Sequence, residues 1–400
     1  MSRVVLDLSR LISRLRHSTP SGVDRVEMAY ARGLLGLYGE RLEFVAVHPG
    51  GLYGALRRDA ALAYLDELER RWANEEGSKG QRSLVSILPW LMRLLPRPFS
   101  PGGKGGVYVQ VSPHHLTRQD KVRRILAREQ ARFLCLVHDL IPIEFPEYAR
   151  PNGAALHRKR MATLAALADG IIGNSAATLE AFRPWAEKSG REIALHVALL
   201  GTEKVAQVPP AVSADGRPYF ICVGTIEPRK NHLLLLHLWR QMAETLPPKD
   251  VPRLVVIGRR GWENEQVLDM LERCPALRDH VEELNGCPDS RIGALLRGAR
   301  ALLLPSFAEG YGMPVAEALA VGTPVICSDL AAMREVGGSV PDYLDPLDGP
   351  GWRAAILDHA QCGPVWQAQM QRLPDWREPD WGTHMQIVAQ AIAGLQHEGL

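Results

Sequence analysis

At about 150 residues per domain, 400 residues allow two to three domains, and two of roughly 200 is the first expectation. Hydrophobic residues make up 46% and charged residues 23%, which suits two packed cores and excludes disorder and fibrous repeats. Forty-seven Lys and Arg against 45 Asp and Glu leave a net charge of +2, too little for a general nucleic-acid binder, although a local basic patch stays open. The six cysteines (135, 222, 274, 287, 327 and 362) form no C-x-x-C pair and read as reduced, mostly buried thiols. The opening stretch MSRVVLDLSRLISRLRHS carries one Asp and three Arg in its first 14 residues, unlike a signal peptide. No apolar run reaches the ~18 residues of a membrane span. The expected location is the cytoplasm, at most resting on a membrane.

In chain order, Val4–Leu8 reads as a buried strand, and a helix with its apolar period at Val23, Val26, Tyr30, Leu34 and Leu37 follows the loop His17–Gly22. Ser21 and Asp24 suit a capping box at its start. Strands are expected at Phe44–Val47, Val107–Val111, Phe133–Val137 and Gly170–Gly173, with helices over 116–130, 153–168 and 175–188. Residues 56–82 are charged with a helical pattern. The apolar stretch 83–99 holds three prolines and so cannot be one straight helix. It is read as either a packed insertion or a surface for a membrane interface or acceptor. The PGGKGG run over 101–106 lacks P-loop spacing and reads as a flexible connection.

The second half repeats the alternation: strands at Tyr219–Val223, Arg253–Ile257, Ala301–Leu304 and Pro324–Ser328, helices over 231–245, 263–273, 289–299 and 314–321. Repeated strand–helix alternation argues for parallel sheets covered on both faces. The Pro/Ala/Ser-rich stretch Gly201–Pro218 is the natural boundary between two doubly wound domains. Ligands in such sheets bind outside the carboxyl ends of the strands.

Chemistry concentrates in ALLLPSFAEGYGMPVAEALAVGTPVICSD, residues 301–329. A strand ends, a loop carries Glu309, Gly310, Tyr311 and Gly312, and a helix is expected from Pro314. Unsatisfied N–H groups and the positive end of the helix dipole would then attract a phosphate. Glu317 is placed in the first helical turn, near the same opening as Glu309. Carboxylates repel phosphate, so the pair makes sense as acceptors for hydroxyls on either side of one. Glycines 310 and 312 allow close backbone approach, but the G-x-G fragment lacks a third glycine and leaves NAD binding unsupported. Upstream, GTIEPRKN (224–231) brings Arg229 and Lys230 to the end of another strand, where they can neutralise a diphosphate.

Glu309 and Glu317, eight apart within EGYGMPVAEALA, resemble the E-x7-E motif of retaining, nucleotide-sugar-dependent GT-B glycosyltransferases, in particular the group called family 4. The resemblance extends through FICVGTIEPRKNHLLLL, LVVIGRRGW and YLDPLDGP, and more thinly through SGVDRVE, CLVHDLIPIEFPEY and IIGNSAAT. It implies an α/β GT-B fold, two Rossmann-like doubly wound parallel-sheet domains facing across a cleft. Residues 1–205 would bind acceptor, residues 206–375 the nucleotide-sugar, and residues 376–400 would form a helix crossing back to the first domain.

The resemblance also implies roles. Glu317 would grip ribose hydroxyls and Glu309 the donor sugar. His138, at a strand end in the first half, would lie beside that sugar, and Gly22 near the diphosphate. Asp139 reads instead as an acceptor that steadies its loop. Thr225, Gly258, Tyr311 and Met313 are further donor-binding candidates, and the segments 258–262 and 284–288 are expected at the base. Many relatives have Arg where Thr225 stands, so Arg229 is expected either to replace that charge or to face solvent. With no Asp-x-Asp and no clustered His/Cys/Asp, neither metal nor cofactor is expected. The adjacent His114 and His115 would point apart on regular structure and are left unassigned.

The expected reaction is transfer of a sugar, mannose or rhamnose from a GDP-sugar as first choice, to a hydroxyl of a lipid-linked or oligosaccharide acceptor in bacterial surface polysaccharide synthesis. The anomeric configuration would be retained. UDP- or dTDP-sugar donors, a nucleotide-sugar epimerase or hydrolase of the same fold, and a non-catalytic sugar-nucleotide-binding subunit are the rivals.

Overall fold

The structure, a computed structural model, describes residues 3–17, 20–73, 83–97, 105–202, 208–213 and 215–397. The chain divides into two units. One holds the residues up to Ile143, Asn152–Gly201 and those from Asp380 on; the other holds Glu144–Pro151 and Thr202–Pro379. The boundary expected at 205/206 lies outside the described residues, as do 74–82, 98–99 and 101–104 of the segments singled out above.

In the first unit, β1 (Val4–Asp7), β2 (Leu42–Val47), β3 (Tyr53–Ala55), β4 (Val107–Gln110), β5 (Arg132–Val137), β6 (Gly170–Gly173) and β7 (Ala194–Val197) form one sheet in the order 3-2-1-4-5-6-7. All neighbours are parallel except β3, which pairs antiparallel with β2. The helix Gly22–Tyr38 follows β1 and opens with the expected capping box: Ser21 Oγ accepts from Asp24 N–H, and the Asp24 carboxylate accepts from Ser21 N–H at 2.7 Å. Its buried stripe includes Val26, Tyr30 and Leu34, whereas Leu37 faces solvent.

The helix Trp381–His397 packs in this unit, burying Met385, Val388, Ala391, Ile392 and Leu395. His384 anchors it between the Leu199 carbonyl at 3.0 Å and the Tyr30 hydroxyl at 2.8 Å.

The second unit carries β8 (Tyr219–Val223), β9 (Arg253–Ile257), β10 (Val281–Leu284), β11 (Leu302–Leu304), β12 (Val325–Ser328) and β13 (Asp342–Leu344). All pair parallel, in the order 10-9-8-11-12-13. β8, β9, β11 and β12 are apolar because helices cover both faces, and the side chains of Phe220, Trp239 and Trp352 are fully buried among them.

The strand order reverses between β8 and β11. Open α/β sheets of this kind bind ligands at such a switch point, outside the carboxyl ends of the strands. The loops leaving those ends are 224–231 and 305–312, the two segments where the sequence concentrates its charged candidates.

Four strands escaped the sequence reading. β3 and β13 have only three residues each, and β7 and β10 are half-buried for most of their length, so no continuous apolar run marks them. The histidine pair departs from expectation as well. His115 has φ of 63°, off regular structure, and this turns the two rings onto each other at 4.0 Å edge to face. In the stretch 83–99 a helix covers Leu84–Arg93 with Pro89 inside it and stops before Pro96.

Candidate functional site

The β8 exit begins at Gly224 and ends in a short turn, Pro228–Lys230, ahead of the helix His232–Thr245. Lys230 is buried there, and its ammonium donates to Glu309 Oε1 at 2.5 Å. Arg229 reaches the other carboxylate oxygen through Nη1 at 2.8 Å, and its Nε pairs with Glu227 at 2.6 Å. Ser306 Oγ–H adds a third donor to Glu309 at 2.7 Å. Backbone bonds hold the two loops in register: Phe307 N–H donates to the Arg229 carbonyl, and Arg229 Nη1 to the Ala308 carbonyl. Two cations and two carboxylates thus interlock at the topological switch point.

Burial works to raise the Glu309 carboxyl, but Arg229, Lys230 and the Ser306 hydroxyl outweigh it and bring the pKa down to about 2. Glu227 goes the other way, because burial outweighs its two cationic neighbours and raises its carboxyl. Arg229 does not simply face solvent. It is committed to this cluster.

The helix after β11 starts at Met313, one residue before Pro314. Gly312 precedes it with φ of 101°, in the left-handed region where a side chain is strained, and this turns the chain sharply into the helix. Glu317 is the fifth helical residue, so it lies in the second turn rather than the first. Its side chain shares a face with Met313 and tilts toward the helix start, as all helical side chains do. Tyr311 is buried, while Gly310 and Glu317 are half-buried.

Gly258 ends β9 against the β8 exit. A Cβ there would stand 1.7 Å from the Gly224 carbonyl oxygen, so only glycine lets these loops meet. Thr225 is half-buried in the same turn.

His138 and Gly22 belong to the first unit. His138 leaves β5 with Nε2 2.7 Å from the Val111 carbonyl, and its own carbonyl accepts from Asn174. Burial lowers its pKa, so the ring is neutral: Nε2 carries the proton, and Nδ1 presents a lone pair. Asp139 stabilises its loop as expected, accepting from Ile141 N–H at 3.1 Å. Gly22 is exposed at the first position of its helix.

Sequence reasoning missed Glu227 and Ser306. Both stand within three residues of a named candidate, and a count of unmatched charges near Arg229 would have pointed to Glu227. It also missed the aromatic neighbourhood of the cluster: Tyr148 stacks on Phe307 at 5.5 Å and 9°, and Arg150 lies 4.4 Å over the Trp262 ring. Residues 148 and 307 are too far apart for any local pattern. Among the described residues, no three or more His, Cys, Asp or Glu gather as metal ligands, and no helix is long and apolar enough to cross a membrane.

Residues 206–339, which contain this cluster and the helix after it, match the family described as Glycosyl transferases group 1. The chain carries a group 1 glycosyl transferase domain on a GT-B fold. The domain resembles the O-antigen chain mannosyltransferase B of Escherichia coli, 36% identical over 145 residues, 36% of this chain and 37% of that protein. The serotype-specific mannosyltransferase WbdA, also of Escherichia coli, is 29% identical over 246 residues, 56% of this chain and 29% of its own. The matches thus span about a third of these relatives' own length.

The likeness to solved structures covers the whole GT-B chain. A sucrose-phosphate synthase from Thermosynechococcus elongatus matches over 100% of both chains with a TM-score of 0.67 at 16% identity. Anabaena HepE in complex with UDP-glucose matches over 98% of this chain and 100% of its own, with a TM-score of 0.64 at 14% identity. These two likenesses speak for the fold.

Proposed function

We propose that this chain is a retaining, metal-independent glycosyltransferase that moves mannose or rhamnose from a GDP-sugar to a hydroxyl of a saccharide or lipid-linked saccharide acceptor in bacterial O-antigen or capsule synthesis. The observation that carries the reading is the Arg229–Lys230–Glu309 cluster at the β8/β11 switch point, beside a helix start. A diphosphate seated there meets an ammonium with three N–H donors, of which the Glu309 bond takes one. The mannosyltransferase names of the relatives support the sugar.

In the proposed reaction the bond from sugar C1 to the phosphate oxygen breaks, and a bond from C1 to the acceptor oxygen forms on the same face. The acceptor's proton passes to the departing phosphate. Negative charge grows on that phosphate, and Lys230 and Arg229 stabilise it where it develops. Because Glu309 holds both cations in place, its role includes positioning them as well as accepting a donor hydroxyl. Glu317 is assigned to the ribose and His138, through its Nδ1 lone pair, to a sugar hydroxyl. Tyr311, Gly310, Gly312, Met313, Thr225 and Gly258 are assigned to the donor site, and Gly22 to the diphosphate.

The test pairs binding with turnover. Thermal shifts with GDP, UDP and dTDP identify the base, with GDP expected to raise the melting temperature most. Glu309→Ala and Lys230→Ala are expected to lower sugar transfer more than about tenfold while far-ultraviolet dichroism stays unchanged. Wild-type transfer in both variants overturns the site. Donor consumption at full rate without acceptor overturns transfer in favour of an epimerase or hydrolase.

A further inference from the structure

The helix Leu84–Arg93 is apolar on both sides yet covered on one only. Ile87 and Leu94 are buried, Trp90 packs against Tyr64 with ring centroids 5.4 Å apart, and the Leu91 carbonyl meets His48 at 3.1 Å. The opposite side carries Val85, Leu88 and Met92 at i, i+3 and i+7, followed by Leu95 just past the helix end. These four are 82, 53, 71 and 51% exposed. A helix apolar all round belongs in a core, and leaving this half in water forfeits the gain of burying four large side chains.

Its charges have one sign. Over 83–97 the only ionisable side chains are Arg93 and Arg97, both exposed. Arg93 lies 5.6 Å over the Trp90 ring. Asp59 lies within reach of the field of Arg93, but Arg57 already holds it through two bonds at 3.0 and 2.6 Å.

We propose that this face docks on an anionic lipid surface, with Val85, Leu88, Met92 and Leu95 entering the headgroup–acyl boundary and Arg93 and Arg97 meeting lipid phosphates. An apolar stripe flanked by arginines, with an aromatic ring at its border, has the amphipathic arrangement that lies in a membrane interface. A second copy of the chain fits less well, because a two-fold contact sets the patch against itself and brings the arginines of both copies together. This inference does not depend on the reaction proposed above.

The test is flotation of the full chain with phosphatidylcholine vesicles, with and without phosphatidylglycerol, at low and high salt. Binding is expected only with phosphatidylglycerol, and salt should weaken it. The double variant Val85→Glu/Met92→Glu should cut the bound fraction at least about tenfold, and Arg93→Glu/Arg97→Glu should abolish the preference for phosphatidylglycerol. All four positions are exposed, so an unchanged melting temperature certifies the fold. Three outcomes overturn the proposal: no binding to either vesicle, equal binding by wild type and both variants, or light scattering that shows a dimer dispersed by Val85→Glu/Met92→Glu. Transfer to a soluble acceptor is unaffected in these variants, which separates failure here from failure of the enzymatic reading.

Discussion

Glu309 receives three side-chain donors, from Lys230, Arg229 and Ser306, at 2.5–2.8 Å. Removing its charge leaves Lys230 buried opposite a neutral group, and breaking a buried pair from one side costs about 3 kcal/mol or more. Glu309→Gln should therefore shift the denaturant midpoint as well as activity, and Lys230→Met should recover part of the stability in the Gln background without recovering transfer.

The pH dependence has a definite sign. The carboxyl is ionised at a lower pH in the folded chain, about 2, than in the unfolded chain, about 4.5. Its stabilising contribution is complete above the unfolded value and is lost as pH falls through the window down to the folded one. The stability difference between wild type and Glu309→Gln should stay flat from pH 8 to about 5 and shrink below about 4.5. Glu227, with its raised carboxyl, contributes with the opposite sign. A double variant at 227 and 309 separates the two.

Among the elements, the β8 and β9 exits meet backbone to backbone at Gly224 and Gly258. Gly258→Ala puts a methyl where the Gly224 carbonyl stands, and backbone cannot retreat as a flexible side chain can. The expected cost is about 3 kcal/mol or more, read as a fall in melting temperature. At Gly312 an alanine must adopt φ of 101°, costing on the order of 1–2 kcal/mol, and it distorts the turn into the helix at Met313. Nucleotide affinity, measured by calorimetry, should drop about tenfold there, more than melting temperature alone would suggest.

The element-level pattern was largely legible beforehand. β6, β8 and β9 fall on the expected residues because covered parallel strands are continuous apolar runs between turn signals. β7 and β10 were not legible, since both are half-buried for most of their length, His196 interrupts the apolar run through Ala194–Val197, and two glutamates fill the middle of Val281–Leu284.

At the scale of the whole molecule, chain order and unit membership part company. The last helix packs in the first unit, more than 180 residues after β7, with Val388 and Ile392 fully buried. Val388→Asp buries an unpaired carboxylate and should destabilise the first unit by about 3 kcal/mol or more. Scanning calorimetry should then show an earlier transition for that unit, with the nucleotide-induced shift of the second unit preserved. A single transition moving as one would show that the units unfold together.

From the amino-acid order alone came the alternation of strand and helix, the capping box at Ser21, the placement of Glu309, Arg229 and Lys230 after strand ends, and of Glu317 on the helix that follows. All of these are local: apolar period, turn chemistry and short spacing carry them. Only the tertiary structure decided that β8 and β11 are neighbours whose exit loops are bonded together, that Glu309 is committed to Lys230, Arg229 and Ser306, that Glu227 completes the charge balance, and that half of the helix Leu84–Arg93 is left uncovered. Those facts join residues some 80 positions apart or depend on what covers a face. Pairing across such distances is settled by packing the whole sheet, and no stretch of sequence contains it.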